Sequence, residues 1–197
     1  MHIDYYFAPQ SPWTYLGHAR FAALVQAHGA TVRVMPADMG RVFPVSGGLP
    51  LTKRAPQRQA YRLVELRRFA DHLGLPLNLQ PKFFPVSADA AARLIIAADQ
   101  VAGSTAAVNL TGRVLAAVWA EERDIADAAT LAALWAESGL APAAAATAGS
   151  DEVQQAYDRI TQAAIDAGVF GAPSYVIDGE IFWGQDRLDF VERKLRD

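Results

Sequence analysis

Apolar and polar positions alternate weakly over His2–Phe7, a stretch rich in Tyr, Phe and Ile, and the pattern predicts a strand. From Ser11 to about His28 the period changes. Leu16, Ala19, Ala23, Leu24 and Ala27 recur at helical spacing, and Gly29 is placed to end the helix in the left-handed conformation. Thr31–Met35 reads as a second strand. Strand, helix and strand joined by short connections open an α/β unit with parallel strands.

Ala37 to about Pro56 reads as loop, because Gly40, Pro44, Gly47, Gly48, Pro50 and Pro56 interrupt it. Helical periodicity returns at Gln57–Leu73, stopped by Gly74 and Pro76. After the proline-bounded segment LPLNLQPKFFPVS it fills Ala88–Val101, Thr105 to about Ala120, and Ala128–Glu137. Ala141–Gly149 is low in complexity, and Pro142 in its first turn favours a short Ala-rich helix over a flexible linker. Ser150 is placed to cap a further helix that carries Val153, Ile160, Ala164 and Ala167 and ends at Gly168. Ser174–Ile177 and Ile181–Trp183 flank Asp178-Gly179, a strong short-range hairpin signal. A helix over Gln185–Arg196, with Leu188, Val191 and Leu195 on one side, closes the pattern. Strand-rich ends thus enclose a helical middle, without an internal repeat.

The chain has 197 residues, 52% of them hydrophobic and 20% charged, which suits a buried core and disfavours disorder. A net charge of -3 argues against a general nucleic-acid binder, and no apolar run reaches the length that spans a bilayer. MHIDYYF enters a strand pattern at once with no basic-then-apolar leader, so a signal peptide is not expected. Cysteine is absent, which removes disulfides, thiolate metal sites, cysteine nucleophiles and dithiol redox chemistry together. A cytoplasmic location is compatible with that. His2, His18, His28 and His72 form no triad or metal-ligand spacing, and no phosphate loop or dinucleotide fingerprint appears.

Ser11-Pro12 by itself needs no purpose beyond starting a helix, since Ser is a preferred N-cap and Pro suits the first helical position. Ala172-Pro173, directly before a strand, is a candidate for a cis bond and on its own an ordinary turn. In combination they carry a resemblance. YYFAPQSPWTYLG and VFGAPSYVIDGEIFWGQDRL resemble two signatures of one thioredoxin-like family. It holds the DsbA-like oxidoreductases, the kappa-class glutathione transferases and the 2-hydroxychromene-2-carboxylate isomerases. The first stretch looks like that family's opening strand and active-site helix start, the second like its cis-proline loop, hairpin and last helix start.

The resemblance implies a thioredoxin-like (DsbA-like) α/β domain with an inserted all-helical domain. The first thioredoxin-like half would cover 1–38, the insertion 39–159 and the second half 160–197. Redox members carry Cys-x-x-Cys where this chain has Ser11-Pro12-Trp13-Thr14, so zero cysteine points to the branch that borrows its thiol from glutathione. Ser11 is then expected to stabilise a thiolate rather than to act as a nucleophile. The Ala172 backbone before Pro173 would pair with the cysteinyl unit like an added strand. Amides at Gln185 and Asp186 would take the γ-glutamyl carboxylate, the Asp186 side chain its ammonium, and Lys53 or Arg54 the glycyl carboxylate. Without the resemblance, Asp186 is a favourable first-turn charge.

The implied activity is a glutathione-dependent cis-trans isomerase. It would interconvert 2-hydroxychromene-2-carboxylate and trans-o-hydroxybenzylidenepyruvate, with an aromatic carboxylate as substrate and a homodimer as the expected assembly. A kappa-like transferase that conjugates electrophiles, or a thioredoxin-like binding module without turnover, are the alternatives. The chain departs from the family at Ala8, where Asp is common, and at Ser46-Gly47-Gly48, where an SGN-like stretch is common.

Arg58, Arg62, Arg67 and Arg68, opposed by Glu65 alone, read first as a solvated helix face. The other reading turns one or two of them toward the cleft to attract an anionic, carboxylate-bearing substrate. Glu121, Glu122 and Asp124 read as surface. Trp13, Phe43, Phe83, Phe84 and Trp183 are candidates for an aromatic pocket, although core packing suits each one separately.

Overall fold

The computed structural model describes residues 1–196; Asp197, the last residue of the expected third segment, lies outside them. Four strands form one mixed sheet: β1 (His2–Phe7), β2 (Thr31–Pro36), β3 (Ser174–Ile177) and β4 (Glu180–Trp183), in the order β2-β1-β3-β4. β1 and β2 are parallel from His2↔Thr31 to Phe7↔Pro36, while β3 runs antiparallel to β1 with Tyr6 opposite Ser174. β3 and β4 form the expected hairpin, with Asp178 and Gly179 both at positive φ (51 and 80), as a two-residue turn of this kind requires.

Strand alternation sorts the two faces. Ile3, Tyr5 and Phe7 face one way with Val32, Val34, Tyr175 and Ile177. On this side lie α1 (Pro12–His28) and α8 (Leu188–Arg196), which contribute Phe21, Leu188 and Val191. Tyr6, Met35 and Val176 face the other way, against Val42 of α2 (Met39–Ser46) and Ala164 of α7 (Asp151–Asp166). The remaining helices are α3 (Pro56–Leu73), α4 (Asp89–Ala102), α5 (Ser104–Trp119) and α6 (Ala128–Glu137). Buried residues of α4 and α5, among them Ile95, Leu110 and Trp119, belong to the same cluster as the α1 face of the sheet. The helical middle therefore shares a core with the sheet. The sequence-drawn division at 159/160 falls inside α7, which runs unbroken. Among the described residues no helix is long and apolar enough to cross a membrane.

Two expectations need correction. The stretch after β2 contains a helix, α2, not only loop. Asp38 caps it by accepting from Gly40 N at 2.7 Å, and Pro44 sits inside it. The glycine and proline masked a helix whose Met39, Val42 and Phe43 pack under the sheet. A 3₁₀ turn follows at Leu51–Lys53. The second correction concerns the buried side of α1. Ala19, Ala23 and Ala27 are exposed, and burial falls on Thr14, Gly17, His18 and Phe21, spaced i, i+3, i+4, i+7. That stripe escaped a hydrophobicity pattern because polar residues and a glycine occupy it. Leu16 is buried on a different side, against Leu66 and Ala70 of α3. The Ala-rich segment forms a 3₁₀ helix over Pro142–Gly149, and the last helix starts as a 3₁₀ turn at Gln185–Arg187 before α8.

His18 shows how a polar residue fits that stripe. Its Nε2–H donates to the Val108 carbonyl at 2.9 Å, which leaves Nδ1 to accept from Tyr5 OH at 3.2 Å. Both ring nitrogens are satisfied only in the neutral form. Burial, opposed by the Val108 bond, pulls its pKa from 6.5 down to about 4. Between these values the unfolded chain takes up a proton that the folded chain refuses. His18 therefore costs no stability above pH 6.5, and stability falls as pH drops through the window, by up to about 3 kcal/mol. Urea unfolding at pH 7.5 and 4.5 is the measurement. His18→Gln is expected to reduce the acid-induced loss by about 2–3 kcal/mol relative to the parent, and equal losses in both proteins would place the titration elsewhere.

Candidate functional site

The β1–β3 register fixes which loops meet. With Tyr6 opposite Ser174, the next pair outward is Phe7 and Pro173, so the Gly171–Pro173 loop lies beside the chain that leaves β1 toward α1. That chain turns at once. Ser11 N donates to Ala8 O at 2.9 Å, and Ser11 is the N-cap of α1 in extended conformation (φ -78, ψ 123). Its Oγ accepts from Thr14 N at 3.2 Å. The hydroxyl thereby uses its acceptor side on the helix and keeps its proton for another partner.

The first turn is poorer in free amides than its position suggests. Pro12 has no N–H, Thr14 N is held by Ser11 Oγ, and Tyr15 N donates to Ser11 O at 3.0 Å. Trp13 N is left as the free donor among the described residues of that turn. No acidic side chain occupies the turn, so the positive end of the helix dipole is not neutralised from within. Thr14 is fully buried and its Oγ1 has no partner.

Ala172-Pro173 is cis, as the sequence suggested. The Pro173 carbonyl accepts from Gly184 N at 2.9 Å, and Ser174 Oγ donates to Gly171 O at 2.8 Å, so the loop is pinned on both sides. Ala172 N–H and C=O take no bond from the rest of the described chain, which leaves a peptide edge open to an extended ligand. Trp183 lies over Gly171, where a Cβ would strike the indole, and it packs on Phe170 at 4.8 Å between ring centres.

The two residues that open the C-terminal turn behave differently. Gln185 is buried and its side chain points inward: Arg20 Nη2 donates to its backbone oxygen at 2.9 Å and to its Oε1. Gln185 is thus a fastening between α1 and the C-terminal turn, and only its backbone amide is free for a ligand. Asp186 is exposed, and its Oδ2 accepts from Arg187 Nη1 at 2.6 Å. Lys53 is exposed at the end of its 3₁₀ turn. Arg54, the alternative cation, donates Nε to Leu49 O at 2.8 Å and lines a cavity with Trp13.

That cavity, about 360 Å³, is the structure's answer to the arginine stretch. Arg54, Arg58 and Arg62 line it together with Trp13 and Tyr61, whereas Arg67 does not, and Arg68 pairs with Glu65 at 2.7 Å. The five candidate aromatics do not share a pocket. Trp13 lines this cavity, and Phe84 packs on Trp119 at 4.8 Å with the rings tilted by 53°. Phe83 carries Lys82, Phe43 packs under the sheet, and Trp183 covers Gly171. Gln10, which sequence reasoning passed over, ties the walls to the helix start, because its Oε1 accepts from Val86 N at 3.2 Å. A polar residue one position before the N-cap was the available signal. Both family departures have packing consequences. Ala8 packs with the Tyr6–Val42 cluster, and at Gly48 a Cβ would strike the Phe43 ring.

Comparisons with known proteins agree with this fold. The family model of the DSBA-like thioredoxin domain matches residues 2–196. A 2-hydroxychromene-2-carboxylate isomerase of Pseudomonas putida is 32% identical over 203 residues, spanning 99% of this chain and 94% of that protein. One from Sphingobium xenophagum is 30% identical over 198 residues, spanning 99% and 98%. Among solved structures, a 2-hydroxychromene-2-carboxylate isomerase superposes with a TM-score of 0.82 at 29% identity, covering 100% of this chain and 95% of that one.

The fastening of α1 to the C-terminal turn depends on Gly17. A Cβ there would lie 2.8 Å from Gln185 Cβ and 3.3 Å from Gln185 Cα. In an open helix Gly→Ala gains up to about 1 kcal/mol; here overpacking reverses the sign, and Gly17→Ala is expected to lose about 1–3 kcal/mol. Urea unfolding decides it, and a gain in stability would contradict the close approach.

Proposed function

This chain belongs to the DSBA-like thioredoxin family, and on that premise we propose that it is a glutathione-dependent isomerase interconverting 2-hydroxychromene-2-carboxylate and trans-o-hydroxybenzylidenepyruvate. The observation that carries the reading is Ser11. In a chain without cysteine, the cap of the active-site helix offers a hydroxyl whose proton is uncommitted. Relatives named 2-hydroxychromene-2-carboxylate isomerase match almost the whole chain and support an isomerase reaction.

The residues present fit glutathione. Ala172 has a peptide edge unpaired among the described residues, the backbone amides of Gln185 and Asp186 lie at the C-terminal turn, and Arg54 lines the cavity with Trp13. When bound, glutathione would supply a thiolate able to add reversibly to the conjugated system and so free its double bond to rotate. The protein's part is to keep that sulfur anionic. Lowering an ordinary thiol pKa of ~8.5 by about two units takes roughly 2.7 kcal/mol. A helix N-terminus contributes about 0.3–1 kcal/mol, and here only Trp13 N is free to deliver it directly. The remainder falls to the Ser11 hydroxyl, since a hydrogen bond to a charged group is worth about 1.5–3 kcal/mol. Thr14 N, by donating to Ser11 Oγ, polarises the hydroxyl and strengthens its donation. Among the described residues Ser11 Oγ bonds to no base, and His18, on the same helix, has both nitrogens engaged elsewhere.

Ser11→Ala tests this assignment. Turnover of the chromene acid is expected to fall about 10- to 100-fold, the rate equivalent of a lost charge-assisted bond, with glutathione affinity only modestly reduced. Loss of the cap should also lower stability by about 1 kcal/mol, so folding is checked by urea unfolding on the same sample. Unchanged turnover would remove the role given to Ser11. Mass analysis after turnover completes the test: free glutathione fits an isomerase, and a stable conjugate indicates a kappa-like transferase instead.

A further inference from the structure

The cavity beside Trp13 has an electrostatic character that its surroundings do not cancel. Arg54, Arg58 and Arg62 converge on it in a chain whose net charge is -3. None of the three makes an ion pair among the described residues. The one carboxylate in the wall, Glu65, is turned to Arg68. Arg58 and Arg62 donate no side-chain hydrogen bond among the described residues, and Arg54 spends Nε alone, on Leu49 O.

Arg62 is the best placed of the three. Its guanidinium lies over Phe84 at 5.5 Å and Trp119 at 5.7 Å from the ring centres. The two ring centres are themselves 4.8 Å apart, so both lie on one side of the guanidinium, and its N–H donors, unbonded among the described residues, remain for a carboxylate. Burial, with Arg54 adding to it, pushes the Arg62 pKa down to about 10, which still leaves the group charged at neutral pH. A cation desolvated in this way and lacking a counter-ion is built for a charge that arrives from outside. The wall holding it is fastened to the active-site helix through Gln10 and Val86, and Trp13 of the first turn completes the cavity. At about 360 Å³ the volume is in the range of small-molecule sites, roughly 300–1,000 Å³.

We propose that this cavity is the acid-binding subsite of the substrate. Arg62, seconded by Arg58, takes the carboxylate of a planar, aryl-conjugated acid, while Trp13 and Tyr61 flank its ring. The inference deepens the isomerase reading and rests on it for the identity of the substrate. Its physical content is separate: acids of this class bind beside Ser11 whether or not they turn over. Glutathione also carries carboxylates, so the same arginines compete as holders of its glycyl end, and the test has an arm for each source.

Isothermal titration of the full chain at saturating glutathione, with trans-cinnamate and methyl trans-cinnamate as probes, reads the subsite without turnover. The parent is expected to bind the acid at least about tenfold more tightly than the ester. Arg62→Gln should weaken the acid about 10- to 100-fold, as the loss of a charge-assisted pair does, and leave the ester and glutathione affinities within about twofold. Arg67→Gln, outside the cavity, should change none of the three. Arg58 is exposed, so Arg58→Gln provides a readout even if Arg62→Gln fails to fold, and it should weaken the acid several-fold. The proposal is overturned if the parent shows no preference for the acid, or if folded variants keep it. It is equally overturned if the loss appears in glutathione affinity, which would assign the arginines to the glycyl carboxylate. An inactive enzyme that still prefers the acid would remove the isomerase reaction and keep the subsite.

Discussion

The pairing of β1 with β3 is the constraint on which the rest of the molecule depends. Side chains alternate along a strand, so a slip of one residue would exchange the two faces of the sheet. In the observed register Tyr5 lies directly opposite Tyr175, their rings stacked at 5.4 Å with only 3° between planes, and Phe21 of α1 closes on both. Tyr6 meets the opposite side, under α2 and α7. The same register sets Pro173 beside Phe7 at the exit of β1, four residues before Ser11, the α1 cap. Core and site are thus specified by one set of backbone pairs. The site lies at the end of a strand buried on both faces, which is why its geometry can be fixed although it is made of loops.

The site residues can be told from the structural polar residues by what their bonding leaves over. Structural groups are closed. His18 has both nitrogens engaged, Gln185 receives Arg20, and Asp4 receives Arg33 at Oδ1 from 2.6 Å with a second bond to Oδ2. Around Ser11 the groups are open: the hydroxyl proton, Trp13 N, the Ala172 peptide edge and the Arg62 guanidinium. A buried or half-buried polar group without a partner costs free energy, so a fold that gathers several of them in one place is suited to a ligand that would pair them. Unmatched bonds alone do not identify that ligand, however. Thr14 Oγ1 and Tyr175 OH are also buried without partners, and Tyr175 OH faces the tight seam at Gly17. What distinguishes the Ser11 group is that its open donors of different kinds converge beside a cavity.

Much of this was legible along the chain. β1, β2, the hairpin and the α1 cap follow from local rules, because caps, turns and alternation act within a few residues, whereas the cis bond was expected from the family resemblance. The pieces that were not legible depend on distant partners. α2 looks like loop until its apolar face is seen under the sheet, where tertiary packing overrides Gly40 and Pro44. The buried side of α1 carries Thr14, Gly17 and His18, and two of these are explained by a group far away in sequence: Val108 for His18, Gln185 for Gly17. Gln185 shows the limit most clearly. The family pattern marks its position for a ligand, but nothing local says that Arg20, 165 residues earlier, takes its side chain.

The arginines of α3 show why charge runs resist interpretation without coordinates. Arg58, Arg62, Arg67 and Arg68 are equivalent in a sequence reading, and the fold separates them by chemistry. Arg68 is answered by Glu65 on the same helix, an exposed pair of the kind that contributes little to stability. Arg67 faces water. Arg62 is drawn inward by two aromatic rings that come from α5 and from the loop before α4, elements the helix meets only on folding. Stacking on rings lowers the cost of burying a guanidinium without neutralising it, whereas a carboxylate partner would have cancelled its charge. A fold that wanted only to bury this side chain had the simpler option of supplying that carboxylate, and the nearest one, Glu65, is turned away. Retaining a half-buried positive charge next to the helix cap has an electrostatic consequence whatever occupies the cavity. It adds to the dipole of α1, so an anion at Ser11 and an anion at Arg62 are favoured by the same field.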